Sequence, residues 1–308
     1  MISAFTNLNM EQPMSLWIDD QNALEKISKL DAEDYIKQAL LDLHNDGIAV
    51  LRGIHSADEC TAVVDDYLKW SAQKADYVSQ NLDELGRPKR LVNFQMVSAN
   101  AMKIGASEKI HKILDILFDK KSSFYTSLTF KYGTQQPVHR DTPHFATWPG
   151  SQFVGVWTAL EDVDKNAGPL FYHKGGHRLV IDSEKKFLSE AIAREPNATQ
   201  KDQLRLALDL YNGEVIRKAT AFVEPTTLML NKGDVVIWHP QMPHGGTVAG
   251  DPMRSRWSIV CHCAPESVQV FQHDMFFLHE GPNPPANRYG FINHENRKVA
   301  LSGDVSFM

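Results

Sequence analysis

The chain holds few cysteines: Cys60, Cys261 and Cys263 are the three in 308 residues. An odd, sparse count excludes a disulfide framework and a paired CxxC zinc motif. Cys261 and Cys263 alternate around His262 in an apolar run and read as buried thiols on one strand face. No stretch of about 18 apolar residues occurs, so no membrane span is expected. The first residues, MISAFTNLNMEQPMSLWIDD, lack a basic segment followed by an apolar block, so no signal peptide is expected. Charge excess is also missing. A net charge of -6 and a pI near 6.1 give no overall attraction to nucleic acid or anionic membrane. These absences leave a cytoplasmic globular protein as the expectation.

What is present changes in texture along the chain. The first third is patterned for helices. Apolar residues recur at helical spacing in DAEDYIKQALLDLHNDG, with Gly47 as the stop. Ser56 followed by Glu59 opens a second amphipathic stretch with a capping-box pattern, and ASEKIHKILDILFDKK forms a third. IAVLRGI is a short strand between the first two. From residue 123 the chain becomes β-branched and aromatic with alternation. SSFYTSLTFKYG, SQFVGVWTALEDV, TLMLNKGDVVIWHP and SRWSIVCHCA all read as strand segments. Short strands separated by turn signals predict an antiparallel barrel or jelly roll. Residues 183–218 read as a helical insert, and the tail from 266 as irregular, with EGPNPPANRYG as loop. The expected organisation is one domain over 1–308. It comprises a helical part over about 1–122, a mainly-β core over about 123–265, and a tail.

The chemistry concentrates in PVHRDT. In an extended chain, alternate side chains share a face, so His139 and Asp141 project together. A third metal ligand must come from a distant strand. Of the downstream candidates His144, His173, His177, His239, His244 and His262, His244 is chosen. It follows Pro243 and precedes Gly245-Gly246, on what reads as a short turn able to aim an imidazole inward. Two imidazoles and one carboxylate on one face of an octahedral ion leave open positions, the arrangement non-haem Fe(II) oxygenases use. A structural zinc site would be closed and usually richer in sulfur. In RSRWSIV, Arg256 and Ser258 share a strand face. A buried guanidinium beside a hydroxyl suits the remote carboxylate of a dicarboxylate cosubstrate.

With these pieces in view, the chain resembles the phytanoyl-CoA dioxygenase family of Fe(II)/2-oxoglutarate oxygenases. The matching segments are HRDT, VWTALEDVDKNAGPLFYHKGGHR, GDVVIWHPQMPHGG and RWSIVCHCA, in the family's order over about 125–265. Lys174-Gly175-Gly176-His177 departs mildly from the family's usual proline-glycine-serine-histidine ending. The resemblance implies a double-stranded β-helix, a cupin-like jelly roll, with helices outside. It implies His139, Asp141 and His244 as iron ligands, and Arg256 with Ser258 as the clamp on 2-oxoglutarate. Thr142, Gln136 and Trp157 match positions that line the cosubstrate pocket. Gly246 stands where some relatives have a serine, so that contact is missing or falls to Thr247.

Halogenating relatives replace the carboxylate ligand with a small residue. Asp141 is intact, so hydroxylation of a small-molecule metabolite with O₂, releasing succinate and CO₂, is the expected outcome. Desaturation, cyclisation, peptide hydroxylation, a cupin-like enzyme without 2-oxoglutarate and a silent jelly-roll binding module remain alternatives. His144, Asn93 and Gln95 are candidate substrate contacts, and residues 71–104 and 183–218 are lid candidates. The run Arg87-Pro88-Lys89-Arg90 is the candidate for coenzyme A phosphates and reads as a solvated loop.

Overall fold

Alternation in the middle third and helical periodicity before it sort the chain into a sheet and the layer that covers it. The computed structural model describes residues 16–148, 150–266, 268–271, 273–278, 290–301 and 305–308. Most of the N-terminal stretch read as leader-free, and all of EGPNPPANRYG but its final glycine, lie outside the described residues.

The first part alternates helices with short strands: α1 (Ala23–Lys29), α2 (Asp34–Asp46), β1 (Ile48–Leu51), α3 (Ala57–Gln73) and α4 (Ala75–Ser79). It continues through β2 (Leu91–Val92), α5 (Ala99–Gly105) and α6 (Glu108–Phe118). Then come β3 (Ser122–Tyr132), β4 (Ala146–Trp148), β5 (Val154–Ala159) and β6 (Leu170–Tyr172). The insert forms α7 (Glu184–Arg194) and α8 (Gln200–Phe222). The core resumes with β7 (Thr226–Thr227), β8 (Val235–Trp238), β9 (His244–Gly246) and β10 (Ser255–Pro265). The tail carries β11 (Gln269–Phe271), α9 (His273–Leu278), β12 (Gly290–His294), β13 (Arg297–Leu301) and β14 (Ser306–Phe307).

Local signals fix several of these ends. Gly47 closes α2 at φ 77°, a left-handed conformation in which a side chain is strained. At the start of α3 the Ser56 hydroxyl accepts from the Glu59 amide (3.2 Å), and the Glu59 carboxylate accepts from the Ser56 amide (2.8 Å).

The large sheet runs β1-β8-β5-β10-β3-β13-β12, with β2 and β14 joined at β3. A smaller sheet, β7-β6-β9, faces it. This is the jelly-roll core with helices outside. The two faces of the large sheet differ in what covers them. Val154, Val156, Val235, Ile237, Ile259, Cys261 and Cys263 pack against the apolar sides of α1, α2, α3 and α6. Leu128, Phe130, Trp157, Val236, Trp238 and Val260 turn the other way, toward Tyr172 of the smaller sheet and Leu228 just after β7. All three cysteines are free and buried. No helix among the described residues is long and apolar enough to cross a membrane.

Two expectations change. The tail is not irregular where it is described. β11 pairs with β4, β14 with β2, and β13 meets β3 at Val299↔Phe124. Arg297 secures this return through paired contacts to Asp115 of α6 (2.9 and 3.0 Å). These strands are short and take partners far away in sequence, so local periodicity carries little of their signal. Residues 71–104 are not one loop either: α4, β2 and α5 occupy much of that stretch, and β2 joins the large sheet.

Candidate metal centre

The H-x-D segment is not a strand. It lies in the irregular chain after β3 and is held by one isolated bridge. The His139 amide donates to the His244 carbonyl and the His244 amide to that of His139, both at 2.9 Å. Gly246 N donates to Gln136 O at 3.0 Å and extends the ladder. His244 is therefore the first residue of β9 rather than a turn residue. The Gly245-Gly246 pair serves close approach: a Cβ on Gly245 would sit 2.7 Å from both the Gln136 carbonyl oxygen and the Phe171 ring.

The bridge places two imidazoles side by side, ring centroids 4.4 Å apart. Each Nδ1 donates to the carbonyl two residues back, His139 to Pro137 and His244 to Met242, both at 2.9 Å. These partners leave both Nε2 lone pairs facing Asp141. One ligand atom from each of His139, Asp141 and His244 lies within 4.8 Å of the others. The Asp141 carboxylate is divided in use. Its Oδ2 accepts from Trp238 Nε1 (2.7 Å) and from His262 Nε2 (3.2 Å). Its Oδ1 stays on the imidazole side, 3.8 Å from His244 Nε2.

Burial, with the neighbouring His244, pushes the His139 imidazole down to about 3, so it is neutral and able to donate its lone pair. Burial opposes ionisation of Asp141, yet the His262 hydrogen bond and the surrounding imidazoles hold its carboxyl well below the usual carboxylate range. Two imidazole nitrogens and one carboxylate oxygen, convergent on one point, fit a divalent ion with positions to spare.

Arg256, Ser258, Val260 and His262 follow one another on the inner face of β10. The Arg256 guanidinium is fully buried, lies 5.8 Å from the Trp157 ring and donates to Gly168 O at 2.7 Å. No carboxylate among the described residues pairs with it, and its Nε has no partner. Burial pushes its pKa down to about 10. A buried cation with unmet donors fits a carboxylate ligand. Ser258 is fully buried beside it, with its Oγ 3.4 Å from Arg256 O.

The remaining candidates separate. Thr142 is buried beside the bridge, with Oγ1 3.5 Å from Pro240 O. Gln136 takes part through its backbone. Trp157 is buried on the inner face, and its indole Nε1 has no partner among the described residues. His144 lies near enough to His139 to disfavour its protonation. Asn93 accepts from Thr126 Oγ1 (2.9 Å), and Thr126 pairs with His262, so Asn93 belongs to the metal-facing side. Gln95 does not. It accepts from Ser127 Oγ, and Ser127 pairs with Cys261 on the helix-covered face. The structure therefore places Gln95 away from the site. His239 is turned to Asp19 (3.1 Å) and takes no part.

Sequence reasoning missed the two residues that orient Asp141. The alternation Arg256, Ser258, Val260, His262 was a signal for His262. Trp238 carried none, because a tryptophan ending an apolar strand looks like core.

Residues 43–249 match the family model for phytanoyl-CoA dioxygenase (PhyH). The peroxisomal phytanoyl-CoA dioxygenase of Bos taurus is 26% identical over 134 residues, covering 44% of this chain and 35% of that protein. Its Mus musculus counterpart is 26% identical over 132 residues, 43% and 34% respectively. The chain thus spans about a third of the length of these curated relatives. Among solved structures, the epimerase SnoN in complex with Fe3+, alpha ketoglutarate and nogalamycin RO aligns with TM-score 0.56 and 17% identity. That alignment covers 92% of this chain and 100% of that one. EctD from S. alaskensis with bound Fe aligns with TM-score 0.57 and 16% identity, over 77% and 81%. At these identities the likeness is one of fold.

Proposed function

The chain belongs to the phytanoyl-CoA dioxygenase (PhyH) family, and from that premise we propose that it is an Fe(II)- and 2-oxoglutarate-dependent dioxygenase hydroxylating an unactivated C–H bond of a small-molecule metabolite. The observation that carries this reading is the convergence of His139, Asp141 and His244 with one ligand atom each left available. The uncompensated Arg256 supports it, since a metal site alone has no use for a buried guanidinium.

His139 Nε2, His244 Nε2 and Asp141 Oδ1 would hold the ferrous ion. Arg256, with Ser258 beside it, would hold the distal carboxylate of 2-oxoglutarate. When bound, the pair supplies the oxidising power, consuming O₂ and releasing succinate and CO₂ as the substrate is oxidised. The protein's own share is placement. Trp238 and His262 keep one carboxylate oxygen occupied, which limits Asp141 to a single donor atom. The carbonyls of Pro137 and Met242 fix both imidazole tautomers. Trp157, Val236 and Val260 line the same face with apolar surface and exclude water from it. Arg140, buried behind the bridge, donates to the Gly176 and Leu179 carbonyls (3.1 and 2.7 Å) and ties the chain leading to α7 to the metal segment.

The test is a metabolite screen with Fe(II), 2-oxoglutarate and O₂. The reading predicts succinate released in step with a product heavier by one oxygen atom. A product lighter by two hydrogens would replace hydroxylation with desaturation or ring closure. Turnover without succinate would overturn the cosubstrate assignment.

A further inference from the structure

The segment that presents His139 and Asp141 also has a back. Those two side chains share one side, so Val138 and Arg140 turn the other way. What they meet is the helical insert. Val138 packs on the apolar cluster of α7, α8 and α9 that contains Phe187, Tyr211 and Phe277. Arg140 is buried, and burial disfavours its charge. No carboxylate among the described residues pairs with the guanidinium. Its partners are neutral and come from three directions. Nη2 donates to the Gly176 and Leu179 carbonyls, on the chain leading to α7 (3.1 and 2.7 Å). Nη1 donates to Gln241 Oε1 (3.2 Å), in the loop that ends at His244. The Tyr211 hydroxyl of α8 completes the set, close enough to act on the guanidinium through a hydrogen bond. Gln241 in turn donates from Nε2 to Ser151 Oγ (3.0 Å) and to Oγ1 of Thr142, the residue after Asp141 (3.4 Å). One guanidinium thus gathers the segments that carry all three ligands.

Packing alone does not ask for a tyrosine at 211. The buried stripe of α8 runs Leu204, Ala207, Tyr211, Val215 and Ala219, and its other members are apolar. The Tyr211 ring meets Phe187 and Phe276 edge to face, with centroids 5.6 and 5.7 Å away. Phenylalanine would supply those contacts equally well. A buried hydroxyl costs free energy unless it is paired, and Arg140 is the partner at hand.

We propose that Tyr211 is a positioning residue for the metal centre: through Arg140, it fixes the chain that presents His139 and Asp141 against the helical insert. The proposal rests on the metal reading above. In it the α7–α8 insert is a support for the metal segment, and the Arg140 guanidinium is the joint between them.

The experiment titrates the full chain with Mn(II) by calorimetry and records Tm alongside. Tyr211→Phe keeps the ring and removes the hydroxyl, so Mn(II) affinity should fall about 3–10-fold, as loss of one hydrogen bond implies. Its affinity for 2-oxoglutarate at saturating Mn(II) should stay unchanged, because Arg256 is untouched. Arg140→Gln should weaken Mn(II) binding at least as much. In the double variant the two losses should not add, because both break one link. Leu204→Ala opens a cavity on the same helix face away from the hydroxyl. It should lower Tm more than Tyr211→Phe does and leave Mn(II) affinity within about twofold of wild type. Wild-type Mn(II) affinity in Tyr211→Phe overturns the proposal. So do additive losses in the double variant, which would mean that Tyr211 does not act through Arg140. An equal loss in Leu204→Ala overturns it too, since the effect would then be one of general stability. Should Arg140→Gln fail to fold, Tyr211→Phe against Leu204→Ala decides alone. A wild type that does not bind Mn(II), or a His139→Ala variant that binds it equally well, overturns the metal reading itself.

Discussion

Arg256→Met separates a functional guanidinium from a structural one by the sign of its effect. Burial lowers the pKa of Arg256 from 12.5 to about 10, so keeping it charged without a counter-ion costs about 3 kcal/mol. Methionine fills similar space and removes that cost. It also removes the donor to Gly168 O, and leaving that carbonyl unpaired costs about 1–2 kcal/mol. The protein without cosubstrate should therefore not lose stability and should gain about 1–2 kcal/mol, or about 2–3 °C in Tm. With Mn(II) and 2-oxoglutarate at a hundredfold excess over Kd, wild type should gain about 2.7 kcal/mol. The variant should gain little at the same concentration, so the order of the two melting curves should reverse. Thermal melts of both proteins with and without 2-oxoglutarate measure this. A variant that melts well below wild type without cosubstrate would make Arg256 a structural contact. Equal gains from 2-oxoglutarate would remove it from the clamp.

Trp238→Phe keeps an aromatic in place but deletes the 2.7 Å donor to Asp141 Oδ2. Metal affinity should fall roughly 10–100-fold, read by competitive Mn(II) titration. Gly155→Ala should produce the same defect from the neighbouring strand, because its Cβ would sit 2.3 Å from the Trp238 indole. Normal metal affinity in that variant would show that the indole does not position Asp141. His111 is fully buried between Ser122 Oγ (2.7 Å) and Gly105 O (3.0 Å), and burial lowers its pKa from 6.5 to about 4. The unfolded chain takes up that proton first as pH falls through 6.5. Stability is therefore fully present above pH 6.5 and declines toward pH 4, by up to about 3 kcal/mol from this residue. Denaturant melts across that range should show a shallower slope in His111→Asn.

The residues that sequence made legible are those whose chemistry or spacing is unusual for a core. His139 and Asp141 stand two apart, His244 precedes a glycine pair, and Arg256 is a charge inside an apolar strand. The choice of His244 over His239 agrees with the geometry, since His239 is committed to Asp19. Strong local periodicity made α2, α3, α6, β3 and β10 readable. The tail strands were not, because β13 and β14 take their register from β3 and β2 rather than from their own pattern. The strand assumed for His139 is a single bridge. His139 and Asp141 still face one side, because an extended segment alternates its side chains whether or not a ladder continues. Gln95 went to the opposite face because Asn93 adopts φ 60°, which breaks the alternation that would have kept the two together.

The central claim is that His139, Asp141 and His244 hold one ferrous ion in a form that also binds 2-oxoglutarate. An anaerobic titration of the protein with Fe(II) and then 2-oxoglutarate, followed by visible absorption, tests it most directly. A weak charge-transfer band should grow to one equivalent in wild type and be absent in His139→Ala and in His244→Ala. A band that persists undiminished in either variant, or no band in wild type, would contradict the account.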